Sequence, residues 1–165
     1  MKKWCLLVFL ISFVFASCSS TKSVRKPVKS TKTIVSTSTK ADRIISNALK
    51  YKGVKYRFGG TTKKGMDCSG IIYVSYLEEN VQLPRISRDM AKRGKKVALK
   101  NAKKGDLLFF KTSKKGRGIN HVGLIVSVKN NQIRFIHSTT SRGVITSLLS
   151  EKYWKNAFVK ANRIL

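Results

Sequence analysis

Gly65-Met66-Asp67-Cys68-Ser69-Gly70, running directly into Ile71-Ile72-Tyr73-Val74, is the stretch on which the reading of this 165-residue chain turns. A glycine-flanked loop becomes the first turn of an apolar helix there, and the residue at the change is a cysteine. The unsatisfied N–H groups and the positive dipole end of a helix N-terminus favour an anion. A thiol at that place is expected to ionise below its ordinary value, which makes Cys68 a candidate nucleophile. Cysteine is also among the most buried residue types, so plain core packing is the competing account.

The fate of the other cysteines bears on that choice. Met1-Lys2-Lys3 is a positive start, and Trp4 to Phe15 is an apolar run of 12 residues before Ala16-Ser17-Cys18. A spanning helix needs about 20 apolar residues, so residues 1–17 read as a secretory signal. Small residues directly before Cys18 resemble the bacterial lipoprotein lipobox, in which that cysteine is lipidated and becomes the new N-terminus. Of the 3 cysteines, Cys5 then leaves with the signal and Cys18 carries lipid. Cys68 remains as the one thiol of the mature chain, and an internal disulfide is impossible. An exported protein that keeps an unpaired thiol more often uses it than not.

Residues 18–40 hold Ser, Thr and Lys with a single Pro27, no acid and no apolar periodicity, the composition of a flexible basic tether. As a coil it spans roughly 25 Å root-mean-square. The remainder, 41–165, is expected to be one folded domain. Lys and Arg number 35 against 7 acids, a net charge of +28, and 27 of those bases with all 7 acids lie from Ala41 onward. The domain itself is therefore basic, and an acidic partner is implied, whether nucleic acid, anionic membrane or anionic wall polymer. Export and the lack of a helix-turn-helix or zinc-finger pattern count against nucleic acid.

Within the domain, Asp42 is placed to cap a helix reaching about Lys52, ended by Gly53. The Cys68 helix is expected to run to about Asn80, and Ser87 to cap a short helix through Arg93. From Lys95 the apolar period becomes two. Strands are predicted over Val97–Leu99, Leu107–Lys111, His121–Val128, Ile133–Ser138, Val144–Leu148 and Ala157–Ile164, with Asn130-Asn131 and Arg142-Gly143 among the turns between them. Helices followed by an antiparallel meander make an α+β layout.

His121 opens one predicted strand and His137 closes the next, each on the apolar face of its strand. Antiparallel pairing through Asn130-Asn131 brings the chain's 2 histidines to one end of the sheet. Singly, each is more simply a satisfied core or surface histidine; together they look like a base and its orienting partner. A metal site competes, but two histidines and one cysteine lack the compact spacing of structural zinc sites. No cofactor is expected.

These motifs, taken together, resemble the NlpC/P60 cell-wall peptidases, papain-like cysteine enzymes. The resemblance rests on Tyr56-Arg57-Phe58-Gly59-Gly60, Asp67-Cys68-Ser69-Gly70, Leu83-Pro84-Arg85-Ile86-Ser87, Gly105-Asp106-Leu107-Leu108-Phe109-Phe110, Asn120-His121-Val122-Gly123 and Phe135-Ile136-His137 in that order. It implies a papain-like fold with N-terminal helices packed on an antiparallel sheet or half-barrel. It implies Cys68 as nucleophile, His121 as base and His137 as third polar residue, with Tyr56, Asp67, Ser69 and Ser87 matching positions that line the substrate pocket. The implied reaction is hydrolysis of peptidoglycan stem peptides between D-γ-glutamyl and the diamino acid, through a thioester. Arg85 matches the pattern without an assigned role. The alternative is an exported binding lipoprotein that uses the same cleft to hold or transfer stem peptides without hydrolysing them. The expected setting is a monomer held to the membrane by lipid on Cys18. Because Ser19 and not Asp follows that cysteine, the outer membrane facing the periplasm is the expected address.

Overall fold

The computed structural model describes residues 38–113, 116 and 118–165. The expected signal, Cys18 and nearly all of the tether lie outside the described residues.

The first helix, α1, spans Lys40–Leu49 and begins three residues earlier than the sequence suggests. Thr39 is its N-cap, accepting from the Asp42 N–H, while the Asp42 carboxylate reaches back to the Thr39 N–H. Asp42 is thus the far half of a capping box, satisfying the same orphan donors from three residues inside. A short hairpin of β1 (Thr61–Thr62) and β2 (Gly65–Met66) delivers the chain to α2, Cys68–Leu77. Next comes α3, Ser87–Met90, with Ile86 at its N-cap position and no side-chain cap, so Ser87 is already helical.

The sheet has six strands: β3 (Lys95–Val97), β4 (Leu107–Phe110), β5 (His121–Lys129), β6 (Gln132–Thr139), β7 (Gly143–Leu148) and β8 (Phe158–Arg163). Every pairing is antiparallel, and the spatial order is β3-β8-β4-β5-β6-β7. The expected meander holds for β4 to β7 only. β8 matches the strand predicted over Ala157–Ile164 to within one residue at each end but returns to pair with β4 and β3, and a fourth helix, α4 (Lys152–Ala157), precedes it where no element was predicted. The α+β class stands, with N-terminal helices packed on one face of an antiparallel sheet.

Two apolar layers flank the sheet because its central strands are buried on both sides. Leu107, Phe109, Val122, Leu124 and Ile136 pack with Ile44, Ala48, Ile71, Ile72 and Tyr76 of α1 and α2. The alternate residues, Leu108, Phe110, Ile125 and Phe135, pack with Trp154 of α4 and Ala161. The period-two pattern of a two-sided strand thus becomes a continuous apolar run, as in Leu107-Leu108-Phe109-Phe110, all fully buried. At Gly123 a side chain would collide with the Phe135 ring, so glycine there lets the second layer close.

Candidate active site

Asp67 fixes the start of α2. Its Oδ1 accepts the Gly70 N–H at 2.6 Å, and its Oδ2 accepts the Gly59 N–H at 2.8 Å. The Arg85 guanidinium closes on the same carboxylate through Nη1 to Oδ1 at 3.0 Å and Nη2 to Oδ2 at 2.8 Å, and Nη1 also donates to Ser69 Oγ at 2.9 Å. Burial opposes ionisation of Asp67, but the Arg85 guanidinium and the two N–H groups outweigh it and hold the carboxyl below its usual value. Gly70 is glycine for want of room, since a Cβ would strike the Gly60 carbonyl oxygen. Arg85, without a role in the sequence, is therefore the clasp on the N-cap of the thiol's helix.

Cys68 is the first residue of α2 and the one free thiol among the described residues. The expected easy ionisation is not what the surroundings dictate. Burial pushes the thiol up to about 11, and the Asp67 charge adds to it. The N–H groups of Val122, Ser69 and Cys68 itself pull the other way without prevailing. At Cys68 the helix end does not outweigh desolvation.

His121 begins β5 opposite Phe110, and its Nε2 lies 3.0 Å from Nδ1 of His137 near the end of β6. His137 Nε2 in turn lies 3.1 Å from Ser147 Oγ on β7. The sheet registers this relay, because His137 pairs Ile145 and Phe135 pairs Ser147, so Ser147 is a diagonal neighbour on the same face. The Trp154 indole lies nearly parallel to the His121 ring, centroids 5.2 Å apart at 22°, and stands edge-on to His137 at 4.5 Å and 79°. Burial drives both imidazoles toward neutrality, His121 down to about 4 and His137 further, where the charges of His121 and Arg142 add to burial. With Nε2 engaged by His137, Nδ1 is the His121 nitrogen left for the cavity that Cys68 also lines.

That cavity holds about 420 Å³ and is lined by Tyr56, Cys68, His121, Arg142, Tyr153 and Trp154 among others. Of the residues expected from the sequence, Tyr56, Cys68 and His121 meet there, with His137 directly behind. Asp67 and Ser69 belong instead to the Arg85 clasp, and Ser87 is buried at the start of α3; none of the three lines the cavity. Sequence reading missed Ser147 and Trp154. Ser147 carries a weak signal as a polar residue on an inward strand face, whereas Trp154 sits in a helix too short to show periodicity.

An α+β domain with a thiol at a helix N-terminus and a buried histidine pair, one member of which lines the same cavity, carries the groups of a cysteine peptidase. The chain belongs to the NlpC/P60 family, which matches it over residues 53–163. It is 42% identical over 124 residues to murein DD-endopeptidase MepS/murein LD-carboxypeptidase of Escherichia coli, an alignment covering 74% of this chain and 62% of that protein. The probable endopeptidase NlpC of Escherichia coli is 35% identical over 159 residues, 96% of this chain and 97% of the relative. Among solved structures, a Staphylococcus aureus protein of the NLP/P60 family, described as similar to lipoprotein, superposes with a TM-score of 0.66 at 32% identity, covering 76% of this chain and 41% of its own. The chain thus spans about three fifths of MepS and more of NlpC.

Proposed function

We propose that this protein is a cysteine endopeptidase that hydrolyses peptidoglycan stem peptides at the D-γ-glutamyl–diamino acid bond. The observation that carries the reading is that Cys68 and His121 line one cavity, with His137 and Ser147 hydrogen-bonded in line behind His121. As an amide carbonyl reaches Cys68, His121 Nδ1 takes the thiol proton while sulfur bonds to the carbonyl carbon. The oxyanion falls near the N–H groups of Cys68 and Ser69 at the start of α2. The amide C–N bond breaks as His121 returns the proton to the leaving amine, giving a thioester. Water, deprotonated by His121, then releases the acid and restores the thiol. His137 accepts from the outer nitrogen of His121, and Ser147 holds His137 in turn.

Digestion of purified muropeptides, with products weighed by mass spectrometry and Cys68→Ser as control, tests this. Two fragments split at the glutamyl–diamino acid bond, whose masses sum to the parent plus one water, are the expected result; intact peptides would leave the holding lipoprotein, and amine-capped products would indicate acyl transfer. The likeness to MepS favours a second reading, cleavage at a DD bond. Crosslinked dimers converted to monomers with intact stems would identify it. The setting proposed is the cell envelope, with lipid on Cys18 and the basic tether placing a monomeric domain near the wall. Cys18→Ser, if exported, should then leave the membrane fraction.

A further inference from the structure

We propose that Arg142 anchors a free carboxylate of the substrate, making the domain selective for stem peptides that keep that acid. This rests on the peptide-substrate reading and names the group by which the cavity would know its substrate. Among the described residues that line the cavity, Arg142 is the single guanidinium or ammonium and Glu151 the single carboxylate. Glu151 is committed: its Oε1 accepts the Leu148 N–H at 2.7 Å. Arg142 has no carboxylate partner among the described residues; Arg43, Arg85 and Arg163 are paired with Glu79, Asp67 and Asp106, and of the other described arginines without an ion pair, Arg57, Arg88, Arg93 and Arg134, none lines the cavity. A planar guanidinium that opens onto a cavity matches a carboxylate in two-point geometry, which a lysine does not.

The turn that carries Arg142 is held from both sides. The Arg142 N–H donates to Thr139 Oγ1 at 3.1 Å. Just beyond, Val144 N–H donates to the Val54 carbonyl and Gly53 N–H to the Val144 carbonyl, each at 2.8 Å. Gly143 has φ +64, and a side chain there would strike the Val54 carbonyl, so the backbone beside Arg142 passes close to the segment after α1. An arginine on a fixed turn loses less freedom on binding than one on a mobile loop. Its charge also reaches His137, disfavouring a proton there. A bound carboxylate would quench that field at the moment His121 must hold the thiol proton.

Two stem carboxylates could serve, the α-carboxylate of the γ-linked glutamate and that of the diamino acid. Synthetic stem peptides with both acids free, with the first amidated, or with the second amidated separate them. Binding is measured by calorimetry on the folded Cys68→Ala protein, which cannot turn over, alone and combined with Arg142→Gln or Arg142→Lys. Amidation of one acid should weaken binding by about 10- to 100-fold, the worth of a hydrogen bond to a charged group. Arg142→Gln should bind all three peptides as weakly as the amidated one, with Arg142→Lys between. Equal binding of the three peptides, an equal loss on every peptide in Arg142→Gln, or no binding at all would overturn the inference. Hydrolysis by the Cys68 protein is read separately, so a bound but uncut peptide refutes the catalytic reading and leaves this one standing.

Discussion

Proton traffic at Cys68 has a direction set by burial. A thiol pushed up to about 11 beside an imidazole pushed down to about 4 rests as a neutral pair, and charge separates only when a carbonyl arrives to accept the sulfur. Iodoacetamide alkylation of the resting protein should therefore have its midpoint above the ordinary thiol value of about 8.5. A midpoint below that would mean a preformed ion pair. The two histidines separate by task. His121→Ala should cost about 10²- to 10⁴-fold in rate, the worth of a general base, with the circular dichroism of a folded protein. His137→Gln keeps an oxygen to accept from His121 and should retain measurable activity, while His137→Ala should lose more. If His137→Gln proves as inactive as His121→Ala, the two roles are wrongly assigned.

Elements, more than single side chains, set the geometry of the site. The first turn of α2 is shaped by the Asp67–Arg85 clasp, with Arg85 about one third exposed. Arg85→Ala leaves a buried carboxylate with its strongest partner gone. A fully buried pair broken this way costs about 3–5 kcal/mol, and partial exposure brings the expected loss to about 2 kcal/mol, read as a lower denaturant midpoint. On the other wall, α4 presents Trp154 to both imidazoles. An indole face favours a nearby cation by about 0.5–2 kcal/mol, so Trp154→Leu should lower kcat several-fold with KM little changed, and Trp154→Phe should recover most of it. Equal losses in both variants would make Trp154 mere packing. Much of this was legible: the start of α2 from its glycine-flanked loop, the β4 to β7 strands from their apolar stretches and the turns between them, the histidine pair from the Asn130-Asn131 turn. The reach of β8 back to β3 and β4 was not, because non-local pairing leaves no mark on local periodicity. Nor was α4, six residues long, or the Arg85 clasp, which closes across 18 positions of sequence.

At the scale of the whole molecule, the two buried histidines make the domain acid-sensitive. Both have folded values below the ordinary 6.5, so between that value and about 4 the unfolded chain binds protons that the folded His121 refuses. Their contribution to stability is complete above about pH 6.5 and is lost as pH falls through the folded value. Thermal unfolding followed from pH 8 downward should show a flat midpoint to about 6.5 and then a steady fall. A midpoint unchanged to pH 4 would contradict the burial of the pair.

The place of β8 between β3 and β4 has a temporal consequence. A chain that emerges from its N-terminus presents Cys68 long before Trp154 and β8, and the sheet keeps a gap between β3 and β4 until its last strand arrives. The thiol and the histidines come into being ahead of the aromatic wall that covers them, so a half-emerged chain carries the reactive group without the cavity. In synthesis from the N-terminus the cavity is therefore completed only once β8 has slotted between β3 and β4, so the order of emergence itself withholds the finished site.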